Sequence, residues 1–309
     1  MNPPARPAEG ARRLTPAVRA RLAQVLLWVV PALWSSNYLI ARLATDQIAP
    51  HALAFGRWTL ALALMLPFVA RELRRPELPW LAEWRQLLVL GGLGMWICGA
   101  WVYLGGRSTS ATNIALIYAA TPVAIAVAGV KLLHERMSSA QGVGVALALL
   151  GVLFVIARGD PRVLLEVRFN RGDAWIVGAA VSWTAYSVLL RRWPSVLSPA
   201  ARLAAIMAGG VLLLLPFTIW EAVVAPGPPF SAAAAGLVGL AAVLPGVLSY
   251  TAYSVLQREL GAARTALLLY LSPVYAAIGA WLVLGERPGW HHAVGAALIL
   301  PSIWLATRR

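Results

Sequence analysis

The chain has 309 residues, 60% of them hydrophobic and 12% charged, with a mean hydropathy of +0.72 and a formal charge of +14. Soluble domains carry about 25% charged residues, so this composition excludes an ordinary soluble globule and points to a polytopic membrane protein. The lone cysteine, Cys98, excludes a disulfide framework, and apolar runs without alternation exclude a β-barrel.

Residues 1–21 read as a cytoplasmic tail, disordered over its first 15 positions, with Arg6, Arg12, Arg13, Arg19 and Arg21 ahead of the first apolar run. A bilayer core about 30 Å thick takes roughly 20 apolar residues of helix. Ten such runs follow, near 22–43, 50–70, 86–106, 111–131, 138–157, 173–190, 199–223, 231–257, 262–284 and 289–306. The first reads as a retained signal anchor, because further runs follow it. With the N-terminus inside, most flanking arginines and Lys131 fall on the cytoplasmic side. Of those left outside, Arg158, Arg162, Arg168 and Arg171 share the segment 158–172. The positive-inside rule then predicts a multi-pass inner-membrane protein with both termini cytoplasmic and 158–172 as a periplasmic loop. The positive charge is assigned to lipid-facing flanks, with no nucleic-acid partner.

The chain repeats itself. TPVAIAVAGVKLLHER at 121–136 and SPVYAAIGAWLVLGER at 272–287 align Pro122 with Pro273, Glu135 with Glu286 and Arg136 with Arg287, at an offset of 151. Arg107 and Arg258, and Ala111 and Ala262, keep that offset. Upstream it is 149, pairing Trp34 with Trp183, Arg42 with Arg191, Pro50 with Pro199, and Pro67-Phe68 with Pro216-Phe217. The difference falls between the second and third runs, where a loop tolerates insertion. The repeats are 22–157 and 173–309. Five helices in each is an odd number, so the second copy is inverted. The expected fold is an all-α integral membrane protein of ten transmembrane helices in two inverted five-helix repeats, an arrangement suited to alternating access.

Doubled helices with Pro122 and Pro273, each ending in Glu-Arg, followed by the glycine-rich QGVGVALALLGVLFV at 141–155, resemble the drug/metabolite transporter superfamily, EamA-type branch. The tenth run departs from the pattern, since Gly151 is answered by Ser302 beside Pro301. The resemblance implies transport of small metabolites, often export of amino acids or related compounds, and a central cavity between helices 1, 3, 4, 6, 8 and 9.

Those helices carry the polar and aromatic residues. The residues expected to bind substrate are Trp34, Asn37, Tyr38, Trp101, Tyr118, Trp183, Tyr186, Tyr250, Tyr253 and Tyr270. Asn37 is the clearest, because an amide near mid-span needs a partner or a ligand. Pro122 and Pro273 each remove a helix N–H and free a carbonyl one turn earlier; they are expected to line the pathway and bend in gating, against the alternative of a static kink. Glu135-Arg136 and Glu286-Arg287 are expected to clamp the fourth helix to the fifth and the ninth to the tenth. Glycines near 91–106 and 142–151 serve close helix packing. Arg57, the deepest charge, is expected to snorkel or pair with helix carbonyls rather than bind a carboxylate.

No acid falls at mid-span, which disfavours a proton-driven exporter of cations. No HExxH, phosphate loop or metal-ligand cluster is present, so the chain is read as no enzyme, with no cofactor and no metal site. A receptor would not need inverted repeats. The expected function is a secondary transporter, an exporter of neutral or aromatic amino acids, with other metabolites or drugs as the alternative cargo. Its partners are the small-molecule substrate and the bilayer.

Overall fold

The computed structural model describes residues 15–109, 111–285 and 287–307, which form helices and their connections. In chain order these are α1 (Pro16–Ala44), α2 (Pro50–Leu73), α3 (Trp80–Gly106), α4 (Asn113–Leu133), α5 (Ser139–Ile156), α6 (Arg171–Arg192), α7 (Pro199–Val224), α8 (Ala232–Leu260), α9 (Ala262–Val283) and α10 (Trp290–Thr307). Among the described residues, nine helices are long and apolar enough to cross a membrane, ending with α9. α10 packs lengthwise on α5. Glu286 lies outside the described residues, as does the side chain of Tyr38.

Local chemistry sets the helix starts. Proline opens α1, α2 and α7, where its missing N–H has no intrahelical partner to lose. Thr15, Ser198 and Ser231 cap α1, α7 and α8, and Ser138 with Gln141 forms a capping box on α5. Much of the exterior is apolar: Phe68 is 88% exposed and Val223 76%. A soluble fold would bury such side chains, whereas lipid accepts them.

The interruptions of the helices come in pairs. A π turn occupies Gly92–Ile97 in α3 and another Val243–Leu248 in α8, in the register of the 151-residue offset. In α8, Pro245 cannot donate to the regular ladder. In α3, Gly94 stands in that place, and a Cβ there would sit 2.8 Å from the Tyr186 ring. α4 turns at Ala120 and restarts as Thr121–Leu133, while α9 tightens into a 3-10 stretch, Leu267–Leu271, and restarts as Ser272–Leu284. Pro122 and Pro273 are each the second residue of the restart.

Packing is paired as well. α1 lies against α8 and α9, and α6 against α3 and α4; α2 packs along α7, and α5 along α10. The α5–α10 contact is close because Gly151 and Gly295 face each other. A Cβ on either would come within 3.0 Å of the other's carbonyl oxygen.

Candidate functional site

Five of the expected residues meet in one cluster. The rings of Trp34 and Trp183 are edge to face with centroids 5.3 Å apart, and these residues are repeat equivalents. Tyr250 and Tyr253 lie 6.0 and 5.0 Å from Trp34, and Tyr186 stacks 5.2 Å from Trp183. α1, α6 and α8 thus deliver their aromatic faces to one place. Each such pair contributes about 0.5–1.5 kcal/mol beyond burial. Trp58 of α2 completes the cluster, 5.0 Å from Tyr250 and fully buried.

The cluster closes on polar groups. Ser187 and Tyr253 share a 2.9 Å hydrogen bond, and Gln257 donates to Tyr253 at 3.0 Å. The Trp183 indole N–H and the Tyr186 hydroxyl are buried without a hydrogen-bond partner. Each such group costs about 1–3 kcal/mol, which is as much as an aromatic pair contributes. Two such donors beside stacked rings suit a ligand with both apolar and polar parts.

The π turn of α3 forms a wall of this site. Its carbonyls leave the regular helical ladder, and side chains from three other helices take them up. Ser182 donates to Leu93 O at 2.8 Å, Tyr250 to Gly94 O at 3.2 Å and Trp58 Nε1 to Met95 O at 3.0 Å. In the matching turn of α8, Ser249 donates to Leu244 O at 2.8 Å. Gly99 admits Trp58, whose Nε1 lies 3.1 Å from where a Cβ would stand, so its role is packing.

Asn37 and Arg57 stand at the edge of the cluster. Arg57 Nη1 donates to Asn37 Oδ1 and to Tyr103 OH, both at 3.1 Å, and Tyr103 donates to Asn37 Oδ1 at 2.9 Å. The guanidinium lies 4.3 Å from the Trp58 ring centroid. Arg57 therefore neither snorkels nor pairs with helix carbonyls: it is 4% exposed and held by an amide, a phenol and an indole face.

Trp101 and Tyr270 lie apart, and Tyr118 borders the cluster through Cys98, which packs against its core. Trp101 stands against Trp175 at 5.1 Å and Trp96 at 6.4 Å, and fits over Gly178 on α6. Tyr118 hydrogen-bonds Cys98. Tyr270 donates to Ala119 O at 3.2 Å in a second core between α4, α5, α9 and α10. The break at Pro273 is satisfied from within: Leu269 O accepts the Ser272 N–H, and Ser272 O accepts from Ser35 at 3.1 Å.

Carboxylates at helix ends bind the starts of other helices. Glu135 accepts the N–H groups of Ala262 and Ala263 at 2.8 and 2.9 Å, beside Gly261 at φ +84. The expected α4–α5 clamp thus joins α4 to α9, because unpaired N–H groups at a helix start attract a carboxylate. Glu72 accepts the Ser198 N–H at 2.6 Å, and Glu221 the His51 N–H at 2.8 Å. These two acids had gone unremarked, although their shared 149-residue offset was the available signal.

Residues 21–157 and 170–308 each match the EamA-like transporter family. The chain belongs to the EamA-like transporter family. An "Uncharacterized transporter" of Archaeoglobus fulgidus is 25% identical over 92% of this chain and 97% of its own. A "Probable terminal-alkyne amino-acid exporter" of Streptantibioticus cattleyicolor is 29% identical over 89% of this chain and 90% of its own. An "S-adenosylmethionine/S-adenosylhomocysteine transporter" of Chlamydia trachomatis is 22% identical over 89% and 86%. A crystal structure at 18% identity superposes with a TM-score of 0.75 over 92% of this chain and 96% of its own, a likeness of fold. This EamA-like chain is therefore a multi-pass membrane protein of a transporter family.

Proposed function

We propose that the chain is a secondary transporter that exports a small metabolite, best a hydrophobic or aromatic amino acid, across the inner membrane by alternating access. Its ten helices form two inverted five-helix repeats, 22–157 and 173–309, with both termini in the cytoplasm and 158–172 in the periplasm. The observation that carries this reading is the pairing of interruptions, a π turn in α3 and α8 and a proline restart in α4 and α9, around one cluster with unpaired buried donors. Paired breaks give each half the same hinge points, so exchanging the two conformations reverses access.

The aromatic faces suit an apolar or flat side chain, and the indole and hydroxyl donors suit the polar groups of an amino acid. Two relatives support this class, since the compounds in their names carry an α-amino-acid group. Cells overproducing the protein should resist toxic analogues of aromatic amino acids, and Trp183→Ala should remove the resistance while the protein still reaches the membrane. Unchanged resistance with Trp183→Ala at normal levels contradicts this placement of the site.

A further inference from the structure

Arg57 is a buried cation without an anion. Among the described residues no carboxylate lies in ion-pair reach of it; the buried acid Glu221 pairs instead with His51 at 3.0 Å. Its Nη1 is committed to Asn37 and Tyr103 and its flat face to Trp58. Its Nε is buried and has no acceptor. The Nε–Nη2 edge of a guanidinium meets a carboxylate in two parallel hydrogen bonds. Arg57 is therefore held by one end, with that edge unmatched at Nε.

The fold itself does not require a cation here. At the 149-residue offset Arg57 is answered by Ile206, which is 1% exposed and part of the main core. Asn37 is answered by Tyr186, and Tyr103, in the 151-residue register, by Ser254. The polar trio thus belongs to the first half alone, while Trp34 and Trp183 keep the symmetry. A buried charge within a membrane is costly unless compensated. Neutral partners compensate it incompletely, so its retention at one of two equivalent positions points to a ligand that is itself unsymmetrical.

We infer that Arg57 sets specificity by binding the carboxylate of the transported molecule through its Nε edge, so that the substrate class is a small organic carboxylate, zwitterionic amino acids included. This rests on the transport reading above and names the substrate group that the site recognises. Trp58 joins the two parts of the site, lying under the guanidinium and 5.0 Å from Tyr250. A fixed charge replaces the uncharged recognition of a zwitterion that amide and hydroxyl groups alone would give.

The test is thermal unfolding of the purified protein with L-phenylalanine, 3-phenylpropionate or phenylalaninamide as the probe. The two carboxylates should stabilise the wild type and the amide should not. Arg57→Gln should raise the half-saturating phenylalanine concentration on the order of 10–100-fold, and Arg57→Lys by less. Equal shifts by acid and amide, or no shift by either carboxylate, overturn the proposal, and that arm needs no variant to fold. A variant that melts earlier yet binds phenylalanine as the wild type does makes Arg57 a scaffold residue and also overturns it. Counterflow in liposomes separates this claim from transport itself. Exchange of an uncharged nucleoside, equal in wild type and Arg57→Gln, removes the carboxylate site and leaves transport standing. Carboxylate binding without exchange of any probe leaves the site and removes transport.

Discussion

Tyr270 donates its hydroxyl to the carbonyl of Ala119, and the two residues are 151 apart, the offset of the repeat itself. Equivalent points of α4 and α9 therefore touch at the proline breaks. Because Tyr270 is 1% exposed, Tyr270→Phe leaves a buried carbonyl short of a donor. It should cost about 1–3 kcal/mol, read as an earlier thermal transition in detergent. An unchanged transition would mean that the contact is idle.

Glu72 and Glu221 are reciprocal caps, each holding the start of the other half's second helix. Charge-assisted bonds of this kind are worth about 1.5–3 kcal/mol. Glu221→Gln and Glu72→Gln should each lower stability by about that amount, the former more because Glu221 is 4% exposed. Urea-induced unfolding of the two variants checks both the loss and its order.

Paired hinges make a kinetic prediction. Pro122→Ala and Pro273→Ala should slow transport strongly while leaving membrane insertion and melting near normal, since a continuous α4 or α9 resists bending. Transport at the wild-type rate in both variants would reduce the prolines to static kinks.

Length and apolarity made the membrane helices legible, and the doubled text located Pro122 and Pro273, where the helices do restart. The π turns were not legible, since one extra residue changes no composition; Pro245 was the only local sign of them. Arg57 and Trp58 were misjudged or missed for a related reason. α2 is apolar nearly all round, so its sequence does not say which face is inward. Trp101 and Tyr270 were grouped with the central residues because composition marks a polar aromatic in a span without saying which helix it meets. Tertiary packing sent the first to α6 and the second to the α4–α9 contact.

The proposed inversion of the second repeat fixes a topology. A reporter fused after Arg309 should lie in the cytoplasm, and one inserted near Asp160 should lie outside. Both on the same side would break the ten-helix arrangement.

We place the substrate site of the proposed secondary transporter in the aromatic cluster. The most direct measurement is counterflow: liposomes holding purified protein and loaded with unlabelled aromatic amino acid, with external labelled amino acid followed over time. A binding site in this cluster predicts transient accumulation of label without an imposed proton gradient, because the buried acids Asp173 and Glu221 are hydrogen-bonded near helix ends rather than set at mid-span. It also predicts that Trp183→Ala abolishes accumulation in protein that reconstitutes normally. Label that never accumulates, or accumulates equally with Trp183→Ala, would contradict it.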